Sequence, residues 1–339
     1  MSILTGQSVK KTFRLAVAFA ISIMCLYFAF RGVPFKELGS HLSGGKYWWL
    51  IPALLLQVLG IMARAQRWIV LLNAKGCLVR AFWSQCVGYL FTNILPFRMG
   101  EPARVIALSR ACRLPLVQVA ATAIVERLMD AASCLLALLV ILPLLSLPPM
   151  VAAGARIMAV LCVAGFAGLL VLAHFPAWSE RLMAWIAPRV RLFSPDTLLA
   201  RWHELLDGVM ALKTPKAFFS AAFWSFATWL CSFLTAWVCI LVFVPDGSFV
   251  EGVFIIVALS VAVSVPSSPG FIGIYQLAGQ QALVLPFAGK YDDASALTIT
   301  LALHLMYYAP TTLLGVAALW KLNLSRKKLA AEARAAGRP

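Results

Sequence analysis

The chain has 339 residues, 62% hydrophobic and 12% charged, with a mean hydropathy of +0.88 and a formal net charge of +16. A soluble domain carries roughly a quarter charged residues, and a core of this length cannot hide such an apolar surplus from water, so composition excludes a soluble globular protein. The basic excess fits the Lys and Arg of cytoplasmic loops and, with no aromatic-and-basic stripe or zinc spacing beside it, argues against a nucleic-acid partner.

A spanning helix needs about 20 mostly apolar residues. Taken in chain order, segments 12–30, 47–72, 116–146, 153–175, 217–244 and 294–320 meet that requirement. Lys10, Lys11 and Arg14 ahead of the first run could open a signal peptide, but Leu15 to Phe30 ends at Arg31 without a small-residue cleavage site, so a retained helix is expected. Two further apolar stretches are broken. Ala81 to Leu108 is interrupted by Asn93, Pro96, Arg98, Gly100, Glu101 and Arg104, and Gly252 to Phe287 by the run from Ser264 to Gly273. Helix breakers at membrane depth are tolerated where protein or a water-filled cavity surrounds the freed backbone, so each stretch reads as a re-entrant hairpin of two half-helices. The expected fold is an all-α polytopic membrane protein of about six spanning helices plus two re-entrant helical hairpins, forming one transmembrane domain over 1–320 with a short basic cytoplasmic tail over 321–339. Segment 177–213, which mixes Trp178, Arg181, Trp185 and Trp202, suits an amphipathic stretch on the cytoplasmic surface, a plain polar loop being the alternative.

Charge orients this layout. With both termini in the cytoplasm, the inner pieces hold 3 Lys/Arg in 1–14, 8 in 64–113, 6 in 176–216 and 6 in 321–339, while the outer loops hold only Arg31, Lys36, Lys46, Arg156 and Lys290. The asymmetry places the protein in the inner (plasma) membrane with both termini inside. The two hairpins then enter from opposite faces, one in each half, which is the pointer to an inverted repeat around a midplane site; no residue-level repeat accompanies it. The eight cysteines are scattered and form no CxxC pair, so they read as apolar fillers rather than disulfides or ligands.

The densest polar cluster runs from Thr92 to Arg104. Asn93, Pro96 and Gly100 free backbone amides that can face an anion, while Arg98 and Arg104 add guanidinium forks matching phosphate geometry, and Glu101 can pair with either. An ordinary cytoplasmic turn is the competing reading. Arg64 and Arg67 lie i, i+3 apart on the second span, where headgroup anchoring explains them about equally well. Glu126, Arg127 and Asp130 lie within the third span, about 15 Å from its cytoplasmic end; charges this deep are functional candidates, with a structural ion pair as the alternative. In the second hairpin Pro266, Pro269, Gly270 and Gly273 break the helix, Ser264 and Ser267 offer hydroxyls, and Tyr275 and Gln276 open the returning half-helix. His304 and Tyr307 in the last span, like Arg67, are weaker candidates. No metal-ligand or cofactor motif occurs, nor any GxSxG, HExxH, Walker or dinucleotide fingerprint.

The pattern Asn93-x-x-Pro96-x-Arg98-x-Gly100-Glu101-x-x-Arg104, then Glu126-Arg127-x-x-Asp130, then Pro266-x-x-Pro269-Gly270-x-x-Gly273 resembles the transmembrane region of lysylphosphatidylglycerol synthases, a flippase-like family with many stand-alone members. The resemblance covers roughly residues 10 to 320. It implies translocation of a lipid and, because this chain has no soluble aminoacyl-transferase domain after its last helix, argues against aminoacyl transfer. One departure stands out: the family commonly carries Glu after the glycines of the second hairpin, where this chain has Gln276, which puts any proton coupling through that carboxylate in doubt. The expectation is a transporter that moves a lipid with a phosphate-bearing headgroup between leaflets, its partners a membrane lipid and either a second copy or enzymes of lipid biosynthesis. A membrane-embedded transferase using Glu126 or Asp130 as base, and a non-transporting accessory subunit, are the alternatives.

Overall fold

A computed structural model describes residues 19–73, 77–96, 98–144, 175–186, 214–264, 268–287 and 289–322, with single positions between 153 and 171 and between 188 and 206. The elements are α1 (Phe19–Phe30), α2 (Phe35–Ser43), α3 (Leu50–Leu71), α4 (Leu78–Ile94), α5 (Gly100–Cys112), α6 (Leu116–Ile141), α7 (Pro176–Ile186), α8 (Pro215–Phe243), α9 (Phe249–Ala262), α10 (Ile274–Val284) and α11 (Asp293–Lys321). No strand occurs among the described residues.

Four helical stretches are long and apolar enough to cross a membrane, Tyr47–Leu71, Leu116–Leu144, Pro215–Phe243 and Asp293–Lys321, and a fifth span results if α1 and α2, bent by 81°, count together. Their ends fall within a few residues of the spans expected from hydropathy. Most of the expected span 153–175 lies outside the described residues, as do Pro266, Ser267 and the tail beyond Leu322.

Local chemistry sets the boundaries. The side chain of Thr214 accepts from the Ala217 N–H, and Pro215 at the first turn starts α8. Ser248 and Glu251 form a capping box at α9, and the Asp292 carboxylate accepts from the Ser295 N–H at 2.7 Å to open α11. α4 stops at Ile94 because Leu95, which precedes Pro96, is forced into extended backbone (φ −106°, ψ 144°). The chain then turns and α5 folds back along α4. That return is tight: a Cβ on Gly88 would stand 2.9 Å from the Arg104 Cβ and 3.1 Å from the Gly100 carbonyl oxygen, so only glycine lets the two backbones approach this closely.

The second half repeats the order of the first: a long helix (α3, then α8), a broken hairpin (α4–α5, then α9–α10), and another long helix (α6, then α11). The packing repeats too. α3 packs on α8 at the centre; α4 lies on α11 as α9 lies on α6; and the contacts α3 with α4, α5 with α6, and α3 with α6 have counterparts in α8 with α9, α10 with α11, and α8 with α11. The central pair is antiparallel, since the Lys46 N–H donates to the Val242 carbonyl at 2.7 Å at one end and Arg67 meets Ser225 at the other. Equivalent helices thus run in opposite directions, which is the geometry of an inverted repeat. On α7 the exposed Trp178, Leu182 and Trp185 share one face at i, i+4 and i+7, as an interfacial helix requires.

Candidate functional site

The centre of the molecule holds a charge network on three helices. Arg64 and Arg67 project from one face of α3, while Glu126 and Asp130, one turn apart on α6, face them. The Arg64 Nη1 reaches Glu126 Oε1 at 3.3 Å and Asp130 Oδ2 at 3.1 Å; Arg67 reaches Glu126 Oε1 at 3.1 Å and Asp130 Oδ1 at 2.8 Å. From α5, Arg104 bonds Glu101 Oε2 at 2.8 Å and Glu126 Oε2 at 3.0 Å. Arg127 approaches Glu126, Asp130 and Glu101 at 3.2, 3.4 and 3.5 Å, all through its Nη2. Glu126 and Arg67 are completely buried and Arg104 is 3% exposed. Charges this far from water persist only when paired and hydrogen-bonded, and the hairpin break is what carries α5 and its Arg104 to the level of α6.

Side chains that carry no charge complete the pairing. Gln85 on α4 accepts from Arg104 Nη1 at 3.1 Å, Ser225 accepts from Arg67 Nη1 at 3.0 Å, and the Trp229 indole N–H donates to Asp130 Oδ1 at 3.2 Å. The Arg104 guanidinium lies over the Trp68 ring at 4.7 Å, and the Trp68 N–H donates to Thr122 at 3.0 Å. Sequence reasoning missed these residues, because single Gln, Ser and Trp positions in apolar helices read as packing. The signal was spacing: Gln85, Gly88 and Thr92 form one small-and-polar stripe on α4, on the face that receives α5.

A cavity of about 1030 Å³ opens beside the network. Arg64, Arg98, Glu101, Arg104, Arg127 and Asp130 line its charged end; Ser264 and Tyr275 of the second hairpin and Tyr307 of α11 also line it, and Leu56, Leu138, Phe254 and Val257 give it an apolar flank. Glu126 and Arg67 sit directly behind the wall. Arg98 differs from the other arginines. It occupies the tip of the first hairpin with φ 54°, a left-handed conformation uncommon for a non-glycine residue, and among the described residues its guanidinium has no ion-pair or hydrogen-bond partner. Among the described residues five arginines (64, 67, 98, 104 and 127) face three carboxylates (101, 126 and 130), an excess of two positive charges.

Other candidates fall elsewhere. Asn93 is not in the cavity wall: its amide donates to Thr311 at 3.1 Å and Thr312 at 2.9 Å, bolting α4 to α11. Gly270 and Gly273 hold positive φ of 66° and 94°, and a Cβ on Gly270 would meet the Tyr308 ring at 2.6 Å, so the second hairpin's tip is wedged against α11. Pro269 begins the short 3-10 turn Pro269–Phe271 that leads into this wedge. Gln276 caps its own half-helix, accepting from the Gly273 N–H at 2.7 Å, and its Nε2 meets His304 Nδ1 at 2.7 Å. With that nitrogen accepting, His304 Nε2–H donates to the Gly270 carbonyl at 2.9 Å, while the ring stacks on Tyr275 at 4.3 Å. Gln276 and His304 therefore brace the hairpin rather than face the cavity. A further polar cluster, also missed, locks the loop before α11. Glu251, 2% exposed, takes Lys290 Nζ at 2.8 Å and the Tyr291 hydroxyl. Burial, and after it the Glu251 carboxylate, push the Tyr291 phenol well above its ordinary range.

The profile of the lysylphosphatidylglycerol synthase TM region matches residues 15–315, from the start of α1 through most of α11. The chain belongs to that family. Membership of the lysylphosphatidylglycerol synthase TM-region family supports a membrane-embedded, lipid-related role. No curated protein and no solved structure matches the chain.

Proposed function

We propose that this protein moves a lipid with a phosphate-bearing headgroup across the inner membrane, holding the phosphate against Arg98 and Arg127. The observation that carries the reading is Arg98: a guanidinium without a partner among the described residues, at a hairpin tip in a strained backbone conformation, facing a cavity with surplus positive charge. Strain of this kind persists where the surrounding structure enforces it, and it concentrates at ligand clamps. Arg127, with its side chain 38% exposed and its contacts of 3.2–3.5 Å all made through one nitrogen, keeps donors in reserve. Arg104 takes a different role from the one its sequence position suggests, because its fork is already filled by Glu101, Glu126 and Gln85; it positions the hairpin. The apolar flank gives acyl chains a path beside the charged end, so the headgroup alone need leave its hydrated leaflet.

A transferase reading fits less well. A general base must be free to take a proton in a substrate pose, yet both oxygens of Glu126 and of Asp130 are held by guanidinium groups. The Lys/Arg asymmetry orients both termini to the cytoplasm. The test is reconstitution into liposomes with a fluorescent phospholipid in the inner leaflet and no donor substrate. Protein-dependent exposure to an external quencher, reduced in Arg98→Gln, is expected. A reconstituted, monodisperse protein that leaves every labelled phospholipid in place would overturn the proposal.

A further inference from the structure

The charged end of the cavity has donors to spare, and among the described residues no carboxylate oxygen there lacks a guanidinium beside it. Each of the six carboxylate oxygens is taken: Glu101 Oε1 by Arg127 and Oε2 by Arg104, Glu126 Oε1 by Arg64, Arg67 and Arg127 and Oε2 by Arg104, Asp130 Oδ1 by Arg67 and Trp229 and Oδ2 by Arg64 and Arg127. The Gln85 carbonyl oxygen is taken by Arg104 as well. The donors are not exhausted. Among the described residues, Gln85, 2% exposed and lining the cavity, has no partner for its Nε2, the Arg127 Nε is buried without one, and the Arg98 guanidinium has none. A buried donor without an acceptor costs about 1–3 kcal/mol; two such donors, on Gln85 and Arg127, with the half-buried Arg98 guanidinium on the same cavity, fit a ligand that supplies acceptors only.

An ammonium headgroup brings donors and positive charge and would meet only occupied carboxylates and surplus arginine. A phosphodiester brings two terminal oxygens and one negative charge, half of the uncompensated charge. A phosphomonoester carries three terminal oxygens and about −1.5 to −2 charge at neutral pH, which matches both the open donors and the two unbalanced arginines. We infer that the lipid held in this cavity ends in a terminal phosphate with no ammonium group beyond it, a phosphomonoester lipid. The inference rests on the lipid-carrying role proposed above and narrows it to one headgroup chemistry.

The test is equilibrium binding of lipids with identical chains to the purified, detergent-solubilised full chain, read by native mass spectrometry. The set is phosphatidate, phosphatidylglycerol and phosphatidylethanolamine, with glycerol 3-phosphate as a chain-free control. Phosphatidate is expected to bind about tenfold more tightly than phosphatidylglycerol, the equivalent of one further charge-assisted hydrogen bond, with phosphatidylethanolamine weakest. Arg98→Gln and Arg127→Gln should each collapse the preference toward unity in protein that stays monodisperse, and Arg98→Lys should retain part of it. Equal binding of phosphatidate and phosphatidylglycerol, both weakened by Arg98→Gln, would overturn this inference while leaving the lipid-carrying role in place. Glycerol 3-phosphate binding as tightly as phosphatidate would overturn its lipid half, and no lipid binding at all would remove both proposals together.

Discussion

Replacing Glu126 by Gln keeps the shape of the side chain and removes one charge from the middle of the network. Four guanidinium groups lie 3.0–3.3 Å from that carboxylate, and two of them, Arg67 and Arg104, are buried. The variant leaves three uncompensated positive charges where there were two, and turns an amide NH₂ toward donors that cannot accept. Breaking a buried pair in this way costs about 3–5 kcal/mol. Arg98→Gln, by contrast, removes a charge that has no partner among the described residues and should cost less than about 0.5 kcal/mol. Adding Arg64→Gln to Glu126→Gln restores the charge count and should recover about 1–2 kcal/mol through coupling of neighbouring sites. With the other six cysteines replaced, the buried thiols of Cys86 and Cys239 report unfolding, so denaturant titration in detergent with a thiol-reactive dye reads all four proteins in one assay. The reasoning fails if Glu126→Gln lies within about 0.5 kcal/mol of the parent, or if Arg98→Gln is as damaging as Glu126→Gln.

Gly100→Ala should separate the two arms of the first hairpin, because its Cβ would collide with the Gly88 carbonyl oxygen and the Thr92 hydroxyl; a loss of about 1–3 kcal/mol is expected in the same assay, against no loss for Gly39→Ala in α2, whose Cβ meets nothing within 4 Å. Asn93→Leu should cost about 1–3 kcal/mol through the lost bonds to Thr311 and Thr312, yet leave lipid binding per folded molecule unchanged; a selective loss of binding would return Asn93 to the site. In a cysteine-free background, cysteine at Arg113 should label only from the cytoplasmic side and cysteine at Asp246 only from outside, and the reverse pattern would invert the topology.

Much of this architecture is legible in the chain because lipid leaves few alternatives. Apolar runs of the right length become spans, and Pro96, Pro269 and the glycines beside them break helices that then need shelter. The charged residues were legible as a set, but their division of labour was not. Arg64 and Arg67 share a face at i, i+3, yet which packed face of α3 meets α6 is a tertiary fact, so headgroup anchoring explained Arg67 as well as a site role did, although it is fully buried at the heart of the network. Asn93 and Thr92 are neighbours in sequence and about 100° apart around the helix, which sends Thr92 to the cavity and Asn93 to α11. Arg98 and Arg104 looked alike as forks beside a break; only the packing of α5 shows one filled and the other open. Glu251, three residues after Ser248, carried a capping-box spacing, but its long-range ties to Lys290 and Tyr291 depend on how the loop folds.

The central claim, that a phosphate-bearing headgroup occupies the cavity against Arg98 and Arg127, is tested most directly by an electron-microscopy map of the full chain purified with phosphatidate in a lipid nanodisc. The account predicts headgroup density within hydrogen-bond distance of the Arg98 guanidinium, the Arg127 Nε and the Gln85 amide, with chain density running along Leu56, Leu138 and Phe254. A cavity holding only water at saturating lipid, with Arg98 turned to pair with a protein carboxylate, would contradict it.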